Sequence, residues 1–181
     1  SAQSLSTEDA QTVTRMLHSI GDFERLGDHA LNLSKVAEEM YRKKISFSEK
    51  AQGEIEVLLR AITEIVITTT TVYEKDDIAL AKKVEPLEQV VDSLCADIKS
   101  RHVKRLKNGE CTIELGFILS DLLTNCQRIS DHCSNIAVAT IESHTDNFDT
   151  HKYLNSVKYG NEEFKTVFEE YSSKYELATN N

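Results

Sequence analysis

Apolar residues recur at helical spacing through most of the chain, and this pattern predicts four long helices. The helices are expected over about residues 7–43, 48–75, 78–107 and 112–143. The stretch from Ile65 to Tyr73 is rich in β-branched residues, which favour strands. It continues a helical apolar face and has no hairpin partner nearby, so we expect helix there as well. The predicted fold class is all-α, with long antiparallel helices in a bundle.

Residues with special backbone preferences mark the expected ends and breaks of these helices. Ser6 is a capping residue for the first helix, and Ser46 to Glu49 has the sequence of a capping box for the second. Pro86 lies inside the third helix, where proline removes a backbone hydrogen bond, and so predicts a kink or short break near residues 82–85. Residues 1–143 form the predicted four-helix region, and residues 144–181 a helical tail rich in aromatic residues, with helices near 150–158 and 162–175.

A stretch of the first helix returns in the fourth. Four polar residues recur at identical offsets, together with the apolar residues around them: Arg25, Asp28, His29 and Asn32 match Arg128, Asp131, His132 and Asn135. The chain therefore contains a duplicated helical unit.

Composition narrows the possible partners. The chain has 30 acidic and 21 basic residues and a formal net charge of -9, which argues against nucleic acid or an anionic membrane surface as the main partner. We find no apolar run long enough for a membrane helix and no signal sequence at the start, so we expect a soluble chain without membrane insertion. The four cysteines lack a disulfide framework and favour a reducing compartment, and we interpret Cys126 and Cys133 as packing residues rather than thiolate ligands.

Acidic residues form stripes with the spacing E-x-x-x-D. Glu24 and Asp28 lie one turn apart on the first helix, and the third helix carries Glu85, Glu88 and Asp92 on one stripe. In the fourth helix the first acid of this motif is an amide, Gln127, followed by Asp131. Carboxylates this close repel each other, so a cation is expected opposite. The residues alone leave open whether it is a metal ion, or Arg25 and Arg128 pairing across a helix interface.

The histidines divide into two groups. We interpret His18, His29 and His132 as groups at a helix interface or beside metal-binding acids without binding the metal, because they lie well away from the acidic stripe of their helices. We expect His102, His144 and His151 to be solvated. Nothing in the chain suggests catalysis: there is no glycine-rich phosphate loop, no HExxH motif and no nucleophile in a recognisable setting.

The duplicated segments, Phe23 to Ala30 and Gln127 to Asn135, resemble the signature of the PhoU family of phosphate-uptake regulators. The passage from Arg101 to Asn125 is most similar to the PhoU-like cytoplasmic domain that follows the membrane part of bacterial sodium-dependent phosphate cotransporters. The resemblance extends over roughly residues 6–142.

The resemblance implies two three-helix bundles related by a repeat, and iron or zinc clusters bound through the acidic motifs. This chain departs from the family pattern by starting at the third of six helices, truncated at the amino terminus, and by carrying Gln127 in place of an acid. Weak or partial metal binding is therefore expected at the following residues: Glu24, Asp28, Glu88, Asp92 and Asp131, with Glu85 and Asp121 as further candidates.

The resemblance also implies a function. It indicates a non-enzymatic domain at the cytoplasmic face of the plasma membrane, which regulates phosphate uptake through contacts with the membrane domain of a parent sodium/phosphate cotransporter. The alternative is a free-standing PhoU-type regulator of an ATP-driven phosphate transporter and its sensor kinase. A carboxylate-bridged di-metal enzyme is less favoured, because it needs Glu-x-x-His pairs that this chain lacks. The missing helices would leave the first helix partly uncovered, which predicts a homo-oligomer.

Overall fold

The structure, a computed structural model, describes residues 6–144 and 162–178. The helices in these ranges are α1 (Thr7–Lys43), α2 (Glu49–Lys75), α3 (Ile78–Ala81), α4 (Val84–Lys107), α5 (Ile113–Ser143) and α6 (Glu162–Lys174). They contain no strand, and Ile65 to Tyr73 lies inside α2. The all-α prediction is confirmed. The helix expected near 150–158 and His151 lie outside the described residues.

Side-chain caps begin α1, α2 and α5, whereas α4 begins without one. The hydroxyl of Ser6 accepts from the backbone N–H of Asp9 at 3.1 Å, and the Asp9 carboxylate accepts in return from the N–H of Ser6 at 3.3 Å. This reciprocal pair is a capping box. The box predicted at Ser46 to Glu49 is wrong, because Ser48 is the residue that caps α2 and Ala51, three positions later, has no side chain that could return the bond.

The predicted interruption near Pro86 is confirmed. The third helix is divided into α3 and α4 by a break at Lys82 and Lys83. Pro86 lies in the first turn of α4, where its missing N–H leaves no helical hydrogen bond unmade. Its ring is fully buried. A proline within one continuous helix would have clashed with the preceding turn, and the break removes that clash.

The core lies between α2, α4 and α5. Its largest fully buried side chains include Leu58 and Ile65 of α2, Leu87 and Ile98 of α4, and Ile136 of α5. The core cluster contains no buried residue from α1 among those described; α1 contributes partly buried side chains, which are Leu26, Leu33, Val36 and Met40. Helix α1 is therefore a peripheral element, attached to a bundle whose core is formed by other helices.

Helix α1 lies along α5 and runs antiparallel to it. Lys43 at the end of α1 pairs with Glu114 at the start of α5 at 2.7 Å, and His18 lies 3.7 Å from Glu142 at the opposite end. The face of α1 turned away from α5 carries exposed apolar side chains, which are Val13, Leu17, Ile20 and Leu31. We call these four residues the outer apolar face of α1. The uncovered face predicted for the first helix is present.

The described part of the tail packs against the bundle. Helix α6 contacts α4, and Phe164 and Phe168 stack on each other with ring centroids 6.3 Å apart. Beyond α6, Arg101 of α4 donates to the backbone carbonyl of Ala178 at 2.7 Å. In the part of the chain described, no helix is long and apolar enough to cross a membrane.

Candidate functional site

The two copies of the duplicated segment face each other across α1 and α5. His29 of the first copy and His132 of the second stack with ring centroids 5.6 Å apart and an interplanar angle of 24°. Because the two helices are antiparallel, equivalent residues meet near the centre of the contact. The prediction that these histidines are interface groups is confirmed.

A matching pair of hydrogen-bond sets surrounds the stacked rings. Nδ1 of His132 donates to Oδ1 of Asp22 at 2.7 Å, and Nδ2 of Asn135 donates to the same oxygen at 3.1 Å. On the other side of the rings, Oδ1 of Asn125 accepts from Nδ1 of His29 at 2.9 Å and from Nδ2 of Asn32 at 3.3 Å.

The two sets are related by the duplication. Asp22 and Asn125 occupy the same position of the repeat, as do His29 and His132, and Asn32 and Asn135. Each acceptor therefore binds the histidine and the asparagine of the opposite copy. We call these six residues the His–Asn seam. The two halves differ in charge, because a carboxylate accepts in one half and an amide in the other.

The amide of Asn125 is oriented by its own helix. Its Nδ2 donates to the backbone carbonyl of Asp121 at 2.8 Å, which directs its Oδ1 toward α1 and His29. Asp121 itself is exposed, and it accepts this hydrogen bond through its backbone rather than its carboxylate. The seam is thus built from the polar residues of the repeat.

The repeated arginines bind within their own helices. Arg25 lies 3.5 Å from Asp28 on α1, and Arg128 lies 3.1 Å from Asp131 on α5. The spacing of three residues places each pair on neighbouring turns of one helix face. The alternative in which these arginines pair across a helix interface is therefore wrong. All four side chains are substantially exposed, so each pair contributes little to stability.

Glu24 and Asp28 lie on the solvent side of α1. Both residues are exposed, on the side of the helix away from the seam. Solvent screens their mutual repulsion, and Arg25 supplies the neighbouring positive charge. The pairing of Asp28 with Arg25 is a salt bridge within one helix, not the pairing across an interface that the sequence left open.

Two acids of the α4 stripe, Glu85 and Asp92, contact α5. Glu85 is buried and accepts from the Ser134 hydroxyl at 2.5 Å, and Glu88 is also buried. One turn further, Oδ1 of Asp92 accepts from Nε2 of Gln127 at 3.1 Å. Asp92 is thus the acid of the third-helix stripe that contacts Gln127 of α5.

These acids do not converge on one point. Among the described residues, no group of three or more His, Cys, Asp or Glu side chains is arranged to hold a metal ion. Asp131 pairs with Arg128, and Gln127 turns its amide nitrogen, not its oxygen, toward Asp92. Metal ions need oxygen or nitrogen lone pairs, which an N–H group does not offer. The arrangement does not fit a multinuclear cluster, and single-ion binding there stays a prediction.

Sequence reasoning missed a buried ion pair between α2 and α4. Nη1 and Nη2 of Arg105 donate to the two carboxylate oxygens of Glu54 at 3.0 and 2.6 Å, and Arg101 adds a third contact at 3.3 Å. Glu54 is only 5% exposed. Hydrogen bonding to Glu54 is the main cause that raises the pKa of Arg105.

The prediction that His102 is solvated is wrong. Its ring is 6% exposed, and burial, followed by the charge of Arg105, lowers its pKa. The signal for this was present in the periodicity: Ile98, His102 and Arg105 follow one another at helical spacing on the face of α4 that packs inward.

A second polar contact joins the ends of three helices. The carboxylate of Asp76, which ends α2 with a left-handed backbone (φ 55°), binds both Arg15 of α1 and Nε2 of His144, the latter at 2.6 Å. The Arg15 guanidinium also lies over the Tyr73 ring, 5.1 Å from its centroid. His144 is exposed, as predicted, and its ring is paired with Asp76.

Comparison with known proteins supports one family. Residues 55–140 match the PhoU domain, a range that begins in α2 and runs into the last turns of α5. The chain is also 22% identical over 150 residues to the phosphate-specific transport system accessory protein PhoU homolog 1 of Thermotoga maritima. That alignment covers 83% of this chain and 63% of the relative, so the chain spans less than two thirds of the relative's length. No solved structure matches the chain.

Proposed function

We propose, from the premise that this chain is a PhoU-like protein, that it is a non-catalytic module that regulates phosphate uptake through protein contacts. The observation that carries the proposal is the His–Asn seam. Both copies of the signature that resembles the PhoU family are used there to hold one helix against another, not to assemble a reaction centre. Hydrogen bonds and ring stacking between two helices can break and re-form when the helices move relative to each other.

Helix α1 is the element best suited to move. It is attached to α5 through partly buried apolar side chains and the polar seam, whereas α2, α4 and α5 share a closed core. Elements with few fully buried contacts open at lower free energy than the core does. A partner that binds α1 more tightly in one position than in another would therefore shift its equilibrium, and this is the minimum a regulatory module needs.

We propose that the parent protein is a sodium-dependent phosphate cotransporter. In this proposal the module lies at the cytoplasmic face of the plasma membrane and contacts the membrane domain of the same protein. This choice rests on the passage from Arg101 to Asn125, which includes the turn between α4 and α5. Its sequence is most similar to the PhoU-like domain of such cotransporters.

The alternative is a free-standing regulator of an ATP-driven phosphate transporter. The name of the Thermotoga maritima relative, an accessory protein of the phosphate-specific transport system, favours this alternative. The reading frame that precedes Ser1 separates the two: predicted membrane helices encoded there support the cotransporter, and a short frame without them supports the free-standing regulator.

Metal binding is part of the proposal only as weak binding to one or two of the acids Glu88, Asp92 and Asp131, since the three are not arranged around one ion. Oxygen ligands favour iron, manganese, magnesium or calcium. Zinc is a further candidate because the resemblance to the PhoU family implies iron or zinc. Elemental analysis of protein purified without chelator should show less than one equivalent of iron or zinc, and less still in Glu88→Ala. Protein that holds no metal and does not take up added iron would leave the acids as hydrogen-bonding and salt-bridging groups.

Phosphate uptake by the intact parent tests the regulatory role. Deleting residues 6–142 should leave sodium-driven transport possible but change its response to phosphate supply. Removing the charge of Asp28, Asp92 or Asp131 should give a milder form of the same defect. If the deletion abolishes translocation while the membrane part is still folded and inserted, the module belongs to the transport machinery and the regulatory proposal is wrong.

A further inference from the structure

Cys111 differs from the other three cysteines of the chain. All four thiols are free, but Cys95, Cys126 and Cys133 are buried in the core, whereas Cys111 is only partly buried, in the turn between α4 and α5. Burial raises the pKa of Cys126 and of Cys133 to about 12 and raises that of Cys95 as well. The three core thiols are therefore neutral and shielded from reagents in solution.

A histidine side chain is directed at Cys111. The Sγ atom lies 3.7 Å from Nε2 of His102 and 3.8 Å from the backbone carbonyl oxygen of the same residue. Because burial and then the nearby Arg105 charge lower the pKa of His102, while Glu54 opposes them, its imidazole is neutral at pH 7. A neutral imidazole nitrogen can accept the thiol proton.

The turn makes room for this ring. A Cβ atom at Gly116 would lie 3.3 Å from Nε2 of His102, a tighter contact than most Cβ atoms make. Glycine at this position lets the ring lie between α4 and the first turns of α5 with its nitrogen toward Cys111. The contact between His102 and Cys111 thus depends on His102 of α4 and on Gly116 of α5.

Cys111 lies in the turn between α4 and the start of α5. It directly precedes Thr112, whose hydroxyl caps α5 by accepting from the N–H of Leu115 at 3.3 Å. The positive end of the α5 dipole therefore lies beside this turn.

We propose that Cys111 and His102 form a thiol-modification site that accepts a low-molecular-weight disulfide. The imidazole takes the thiol proton, and the Cys111 sulfur attacks one sulfur of the disulfide. The disulfide bond of the reagent breaks as a new one forms to Cys111. The departing thiolate receives the proton from His102, so that one disulfide and one thiol are consumed and one mixed disulfide and one thiol are produced.

The modified side chain would lie at the end of the α1–α5 contact. Glu114, which pairs with Lys43 of α1 at 2.7 Å, is in the first turn of α5, close in sequence to Cys111. The inner side of the thiol is filled by His102, so the added group must extend toward solvent beside this turn. The proposal is independent of the function proposed above.

Titration with 5,5′-dithiobis(2-nitrobenzoate), an aromatic disulfide, tests the site on the full chain. We expect one thiol to react in a fast phase and the other three only after unfolding in guanidinium. Cys111→Ser should remove the fast phase, and the matched variant Cys126→Ser should retain it. A fast phase that persists in Cys111→Ser, or that is absent from the unmodified protein, overturns the proposal.

The pH dependence of the fast phase tests the imidazole. His102→Gln should slow the reaction about tenfold at pH 7 but less than about twofold at pH 9, where hydroxide removes the thiol proton without a base. A purely structural role of His102 would change the rate by the same factor at both pH values.

Gly116→Ala displaces the His102 ring without removing it and should also slow the reaction more at pH 7 than at pH 9. It replaces His102→Gln in the test if that variant loses its helical circular dichroism. Equal factors at both pH values in the folded variant would show that His102 is not the base.

Discussion

His29 and His132, which occupy the same position in two copies of a repeated segment, stack on each other across the contact between α1 and α5. The duplicated unit therefore pairs with its own copy. Each histidine binds an acceptor in the opposite copy, but one acceptor is the carboxylate of Asp22 and the other is the amide of Asn125. Equivalent residues of the two copies thus occupy equivalent places in the contact, but the two acceptors differ in charge.

This asymmetry makes Asp22 the most important acceptor of the seam. Asp22→Ala leaves the donors of His132 and Asn135 without their partner in a partly buried contact, and we expect a loss of about 1–2 kcal/mol in the free energy of unfolding. Asp22→Asn keeps an acceptor oxygen and should lose less than about 1 kcal/mol, since only the charge-assisted part of the bond is removed. Urea unfolding measures both values.

The matched control is Asp28→Ala on the same helix. Its side chain is 55% exposed and pairs only with its neighbour Arg25, so the free energy of unfolding should stay within about 0.5 kcal/mol of the unmodified protein. Equal losses for Asp22→Ala and Asp28→Ala would mean that the seam does not stabilise the contact.

The buried pair of Glu54 and Arg105 gives a second prediction. Arg105→Ala leaves the Glu54 carboxylate buried with only Arg101 nearby, and breaking a buried pair in this way costs about 3 kcal/mol. Replacing both residues, by Glu54→Leu with Arg105→Met, should recover most of that loss, because no uncompensated charge remains buried. Chemical denaturation of the unmodified protein, Arg105→Ala and the double variant measures these losses. A double variant as unstable as Arg105→Ala would show that packing, not the unpaired charge, causes the loss.

The helices and their ends could be predicted from the sequence, because they depend on properties of neighbouring residues. The apolar period predicted four long helical segments, and Pro86 predicted the break that separates α3 from α4. The burial of His102 could also have been inferred, since it lies in line with Ile98 and Arg105 on the inward face of α4. Position on the helix, not the polarity of the side chain, decides that His102 is buried.

The seam could not be predicted in the same way. Helical spacing places His29 and Asn32 near each other on one helix, but it does not indicate which helix lies opposite or in which register. The hydrogen bond from His132 to Asp22 depends on the antiparallel register of α1 and α5, which the whole core sets. For the same reason, the spacing of Arg128 and Asp131 is compatible with a pair on one helix and with a pair between helices.

The attachment of the tail should depend on pH through Glu64. Burial alone would raise the pKa of this carboxyl, but hydrogen bonds from Lys174, at 2.7 Å, and from Tyr175 lower it below its ordinary value of 4.5. A carboxyl with a depressed pKa stabilises the folded state above its unfolded pKa, and this contribution is lost as the pH falls through the folded value.

We therefore expect the difference in unfolding free energy between the unmodified protein and Glu64→Gln to shrink as the pH falls from about 6 to about 3.5. Urea unfolding at several pH values measures that difference. Glu56→Gln, at an exposed position of α2, is the control and should follow the unmodified protein throughout. A difference for Glu64→Gln that does not change with pH would show that its bonds to Lys174 and Tyr175 are not formed in solution.

The outer apolar face of α1 predicts self-association. Ile20 is 71% exposed and Leu17 is 69% exposed, and they lie with Val13 and Leu31 on the side of α1 opposite the seam. Exposed apolar side chains on one side of a helix are favourable to bury against a second surface, and a second copy of this chain presents the same face. We expect a dimer or larger assembly at tens of micromolar, visible by sedimentation velocity.

Ile20→Glu tests whether this face is the interface. Introducing a charge at the centre of an apolar contact should weaken association at least about tenfold, equivalent to about 1.4 kcal/mol, because the carboxylate would have to lose its hydration. Ile67→Glu is the matched control: Ile67 is 61% exposed but lies on α2, away from α1, and its substitution should leave association unchanged. A monomer at tens of micromolar in the unmodified protein contradicts the prediction, and equal weakening by both variants would place the interface elsewhere.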